Sequence, residues 1–160
     1  MIDAVLPLLP HLAHQAAFGA IAAVGFGVLF NFGGRSLVWC AVAGALALGV
    51  RTLCQDGGAS LEAATFAAAA ATSCASIACR RWIGVTCHAI ALAGCIPMVP
   101  GAFFGQALLG VMSVTGTAES DQSMTTIVSS VQAFIRVIST VGAIGAGLTI
   151  PAYLMRSRQF

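Results

Sequence analysis

The chain has no lysine, and only seven arginines and five carboxylates are spread through its 160 residues. A soluble domain of this size carries about a quarter charged residues; here the share is 8%. That scarcity, with a mean hydropathy of +0.96, excludes a water-soluble globule. The polar gaps are too short for a separate soluble domain, and a thinly spread net charge of +2 excludes a nucleic-acid surface. Cys-x-x-Cys pairs are also missing. The six cysteines lie in or near apolar stretches and read as small polarizable filler rather than disulfides or metal ligands. Cys87 adjoins His88, but neighbours point to different sides of a helix and do not chelate jointly. The N-terminus lacks a basic region, and Asp3, Pro7 and Pro10 interrupt its apolar run, so it does not read as a signal peptide. No His-Glu-x-x-His, Gly-x-Ser-x-Gly, Ser-Lys dyad or Walker loop occurs. Hydrolytic and nucleotide-consuming enzymes are thereby excluded, and no metal or cofactor is implied.

What is present is long uncharged apolar sequence, cut at intervals by charges of alternating sign. Asp3 is followed by Arg35, then Asp56 with Glu62, Arg80 with Arg81, Glu119 with Asp121, and Arg156 with Arg158. About 20 helical residues cross the hydrocarbon layer, and helices satisfy their own backbone there. The fold class is therefore an all-α polytopic membrane protein, a single transmembrane domain over residues 1–160. Placing the arginine clusters in the cytoplasm gives five spans, N-out and C-in, at approximately 12–32, 37–54, 60–79, 82–117 and 125–155. Arg51 is the exception, toward the outer end of the second span. Trp39, Trp82 and Tyr153 sit near span ends, where amphipathic rings prefer the interface.

The fourth segment would make a straight helix of roughly 50 Å, beyond a core of about 30 Å. In its middle stands Ile-Pro-Met-Val-Pro-Gly, Ile96 to Gly101. Pro97 and Pro100 remove backbone donors and Gly101 permits unusual dihedrals, so a continuous helix cannot pass. Charge alternation demands an odd number of crossings here. The segment reads as one crossing made of two half-helices around a break, or as a re-entrant arrangement. A half-helix starting near Ala102, with Gln106 a turn further on, would aim free amides and a positive dipole end at a carboxylate. A proline kink that only shapes packing is the plainer account.

Other polar residues stand out against this background. Ser60 has the position of an N-cap, placing Glu62 in the first turn of the third span, where it meets the helix dipole or exchanges a proton. Arg51 snorkels outward, pairs with Glu62, or attracts an anion. Arg136 interrupts the fifth segment, either in a pathway or as a boundary anchor. Asn31, in Phe-Asn-Phe-Gly-Gly, lines a pathway or caps the helix end; Arg35 anchors the cytoplasmic side, and His11 and His14 are interfacial. Small residues recur at four-residue spacing at Gly19, Ala23 and Gly27, at Ala45 with Gly49, and at Gly142 with Ala146, alongside the run Ala67–Ala71. Such stripes let helices approach closely, within this chain or against a partner.

These residues, in this order, resemble the small C-terminal half of the bacterial threonine/serine exporter family. The resemblance runs through Gly25-Phe26, Leu29-Phe30-Asn31, Arg35, Trp39-Cys40-Ala41, Gly44, Arg51, Glu62, Thr65-Phe66, Ile96 to Gly101, Val141-Gly142-Ala143, Gly147-Leu148 and Ile150-Pro151. The proline-glycine segment is the most specific of these. The chain departs from the pattern at Arg136, and after Gly101, where Ala102-Phe103-Phe104-Gly105 replaces a more polar stretch. The resemblance implies a subunit of an inner-membrane secondary transporter driven by an ion gradient. It would export threonine, serine or a dicarboxylate such as succinate, acting with a larger partner subunit that has its own membrane helices and a soluble N-terminal region. Pro97, Pro100, Gly101, Ala102, Gln106 and Asn31 would bind substrate; Glu62, Arg51, Thr65 and Arg136 would couple or gate. A non-transporting scaffold subunit and a homo-oligomeric pore are the competing classes.

Overall fold

The computed structural model of the chain describes residues 8–84, 87–116 and 120–156. Asp3, Pro7, Thr117, Glu119 and Arg158, which the sequence reading used, lie outside the described residues. Among the described residues the structure is 92% helix, with no strand. The helices are α1 (Leu8–Leu29), α2 (Gly34–Asp56), α3 (Leu61–Ala78), a single-turn α4 (Arg80–Ile83), α5 (Cys87–Cys95), α6 (Gly101–Gly116) and α7 (Ser120–Arg156). A 3-10 turn, Ile96–Met98, follows α5 directly. Four helices are long and apolar enough to cross a membrane, or up to five if the broken pair Cys87–Met98 and Gly101–Ser113 counts as one span.

Local chemistry accounts for the ends. Pro10 does not break the first apolar run: it sits in the first turn of α1, where its missing N–H would have had no helical acceptor. That helix closes on Asn31, whose φ of 57° reverses the chain. The Asn31 amide donates to the Val28 carbonyl (2.9 Å) and the Phe32 amide to Gly27 (3.0 Å), a Schellman pair. Gly58, at φ 87°, closes α2 in the same way, with Ala59 donating to Cys54 (3.0 Å). Ser60 caps α3, its hydroxyl accepting from the Ala63 amide at 3.2 Å, and Glu62 occupies the first turn. At α4 the Arg81 guanidinium lies 4.2 Å above the Trp82 ring, joining a cation to an interfacial aromatic.

The described chain forms two compact units. The first takes residues up to Met98 and from Ala143 onward; the second is Val99–Gly142. In the first unit the closest approach is between α1 and α2. A Cβ on Gly44 would meet the Gly19 carbonyl oxygen and stand 2.5 Å from the Ala23 Cβ, so only hydrogen fits there. Gly94 of α5 meets Ala43 of α2 equally tightly, its Cβ falling at 2.7 Å, and Gly147 of α7 meets Ala69 of α3 at 2.7 Å. The Gly19-Ala23-Gly27 stripe thus packs within this chain, and Ala68 and Ala69 of the alanine run are fully buried. Two other stripes are shifted in register. Gly49 and Gly142 face open space, while Gly44 and Gly147 make the contacts. Close packing rather than water exclusion joins helices in lipid, so the glycine that meets a backbone decides the face. Buried hydroxyls satisfy themselves by donating to the carbonyl four residues back, as Thr65 does to Leu61 (2.7 Å) and Thr72 to Ala68 (2.8 Å). Ser73 instead ties α3 to α7 through the Leu148 carbonyl at 2.9 Å.

In the second unit Gly110 of α6 packs against Ser130 of α7. Beside that contact runs an apolar groove of about 490 Å³, lined by Phe104, Leu108, Val111, Ile127, Val131 and Phe134 among others. The Ser130 hydroxyl on its wall already donates to the Thr126 carbonyl at 2.6 Å. With so apolar a lining, the groove offers a hydrophilic solute little to bind.

Candidate functional site

The 3-10 turn ends at the Met98 carbonyl, which the interruption deprives of the amide a continuous helix would supply. Its hydrogen comes from another helix. Arg51, near the C-terminal end of α2, donates from Nη1 to the Met98 carbonyl oxygen at 3.1 Å. Met98 is itself fully buried among Ala47, Ala68, Ala69, Cys95 and Ile144, so the turn is anchored by packing as well as by this bond.

One hydrogen bond does not satisfy a guanidinium, which carries five N–H donors. The Arg51 Nε is buried and has no hydrogen-bond partner. The side chain is half-buried, and no carboxylate among the described residues pairs with it. The open possibility of an Arg51–Glu62 pair across the Asp56-Gly57-Gly58 turn is not what forms. Glu62 stays in the first turn of α3, where the helix dipole accommodates it, and the guanidinium turns to the Met98 carbonyl. The Nε–Nη2 edge of Arg51, the edge a carboxylate grips bidentately, therefore carries no bond among the described residues. An uncompensated cation in a low-dielectric setting is costly, by several kcal/mol on general estimates, until an anion meets it.

The remaining sequence candidates fall around this point unevenly. Pro97 is half-buried in the turn and Pro100 is buried; Gly101, Ala102 and Gln106 are exposed on the first turns of α6. There the Gly101 amide donates to Val99 (2.9 Å) and Phe104 to Pro100 (3.2 Å), leaving Ala102 and Phe103 as first-turn donors with no backbone acceptor. Thr65 is fully buried and its hydroxyl is spent on Leu61. Arg136 belongs to the second unit, is exposed, and lies 5.3 Å from the Phe103 ring centroid. Asn31 is exposed before the start of α2, while Arg51 is near its end, roughly 25 Å along the axis at 1.5 Å per residue. One small solute cannot touch both.

Asn31 thus yields a clean test of role. Asn31→Gly, which also accepts positive φ, should leave stability and transport within about twofold of the parent. Asn31→Val should lower thermal stability in detergent by about 1–2 kcal/mol, because a β-branched residue resists the left-handed conformation. Loss of transport with the glycine variant would instead assign the carboxamide to the pathway.

Sequence reasoning singled out Arg51 but missed its acceptor, Met98, and it named Gly44 without its packing role against Gly19 and Ala23. The signal for Met98 is present in retrospect: a proline-interrupted helix frees carbonyls, and arginine is the side chain that reaches a buried one. A family model described as Threonine/Serine exporter, ThrE, matches residues 15–154. No solved structure matches the chain. Since that match runs from within α1 to near the end of α7, across all the membrane-length helices, the chain belongs to the threonine/serine exporter family, a family of transporters.

Proposed function

We propose that this chain is the small membrane half of a secondary transporter that exports a small carboxylate-bearing metabolite, working with a larger subunit. Threonine or serine is the first expectation, and a dicarboxylate such as succinate the second. The supporting observation is the unpaired Nε–Nη2 edge of Arg51, held beside a helix break by the Met98 carbonyl. In this reading the substrate carboxylate replaces the missing counter-ion. The break provides a turn whose geometry responds to the same guanidinium. Glu62, partly buried at the start of α3, takes up and releases the coupling proton. The spans run N-out and C-in in a bacterial inner membrane, with α5, the 3-10 turn and α6 making one broken crossing.

The test is efflux from cells carrying this chain with its larger partner. Pro100→Leu restores a backbone donor and Gly101→Leu removes the flexible link, and each should cut efflux at least about tenfold while the protein still inserts. Undiminished efflux with either variant would remove the break from the mechanism.

A further inference from the structure

α7 presents two unlike faces on the same turns. Ile127, Val131, Phe134 and Ile138 lie on one side, exposed and apolar. On the other side, Ser129, Gln132, Arg136 and Ser139 follow one another at three- and four-residue spacing, and all four are exposed. The apolar side fits lipid, and these turns lie inside the stretch Met124–Met155, which is long and apolar enough to cross a membrane. Within a membrane-crossing stretch a carboxamide and a guanidinium are costly against acyl chains and favour a protein partner. Gln132 has no hydrogen-bond partner among the described residues, and Arg136 has only the Phe103 ring. Along the same strip lies a shallow recess of about 350 Å³, lined by Met124, Thr125, Val128, Ser129 and Gln132.

We propose that this polar strip of α7 is the docking face for a membrane helix of a different protein, one that carries a carboxylate opposite Arg136. Charge decides between a second copy and a different partner. Two copies inserted the same way are related by an axis along the membrane normal. Packing this strip on its own equivalent would then set one Arg136 against the other at equal depth, a like-charge contact in a low-dielectric setting. A carboxylate on a foreign helix removes that conflict, and Gln132 and Ser139 offer hydrogen bonds on either side. The inference deepens the reading of the chain as one half of a two-part exporter and rests on it.

The experiment places p-benzoylphenylalanine singly at Ser129, Gln132, Val131 and Ile138 of the full chain in the cells that produce it. After irradiation, mass spectrometry identifies the cross-linked peptide. Ser129 and Gln132 should give adducts to one membrane helix of another protein bearing Asp or Glu, at least about fivefold above Val131 and Ile138. Arg136→Glu should lower the Gln132 adduct at least about fivefold, and reversing the partner's carboxylate to arginine should restore most of it. Adducts of the strip positions with lipid alone, with a second copy of this chain, or with a helix lacking a carboxylate would overturn the proposal. Because cross-linking does not read transport, the adducts should persist in an Arg51→Gln background. Failure of the substrate site and failure of the docking face are therefore separable.

Discussion

Arg51→Gln should lower export at least about 30-fold with the protein still inserted, and Arg51→Lys should recover little of it. The reason lies in what each side chain can do at the break. Removing one member of a desolvated, hydrogen-bonded charge pair costs about 2–5 kcal/mol, and about 1.4 kcal/mol is a factor of ten. Lysine keeps the charge and can reach the Met98 carbonyl, but it is a point donor without a fork. It cannot hold that carbonyl and grip a carboxylate along a second edge as the Nη1 and Nε–Nη2 positions of Arg51 do. The loss should appear as weakened apparent affinity at limiting substrate as well as slower turnover. Initial export rates against internal substrate concentration, normalised to inserted protein, check this.

Gly44→Ala has the largest expected effect on the fold. The added methyl would sit 2.5 Å from the Ala23 Cβ and against the Gly19 carbonyl, a backbone atom that cannot rotate away. Overpacking costs about 1–3 kcal/mol where side chains can yield, and more is expected where a backbone must move. α1 should separate from α2, and the folded fraction in a denaturing-detergent titration should fall accordingly. Gly49→Ala, five residues on in the same helix, meets nothing within 4 Å and should leave the titration unchanged or slightly improved. A Gly44 variant as stable as the Gly49 one would show that α1 and α2 do not pack through this contact.

Much of the helical frame can be read from local chemistry. Ser60 before Leu61-Glu62, the two glycines after Asp56 and the Pro-x-x-Pro-Gly run each announce a helix end through caps or missing donors. Asn31 was open to two readings; its positive φ shows it reversing the chain after α1, and the glycine variant tests the pathway reading. Two things were not legible. One is which small residue faces a neighbour: α2 carries Ala41, Ala43, Gly44, Ala45, Ala47 and Gly49 around most of its circumference, so four-residue spacing fits several faces. Only the neighbouring backbone selects Gly44. The other is the Arg51–Met98 bond, which joins positions 47 residues apart. No periodicity encodes a contact between one helix and a carbonyl freed by a break in another. The nearby Glu62, a plausible partner by sequence distance alone, pointed the wrong way.

The most direct test of the account is a distance measurement by solid-state NMR between the carboxyl carbon of bound threonine and guanidinium nitrogen. It uses the chain in lipid, together with the larger subunit proposed above, labelled with ¹³C and ¹⁵N respectively. The account predicts strong dipolar dephasing from Arg51, corresponding to a separation of about 4 Å or less, as bidentate N–H···O pairing requires. An Arg51→Lys control should remove it. Equal dephasing in the parent and the Arg51→Lys complex, with threonine demonstrably bound, would place the carboxylate elsewhere and contradict the assignment.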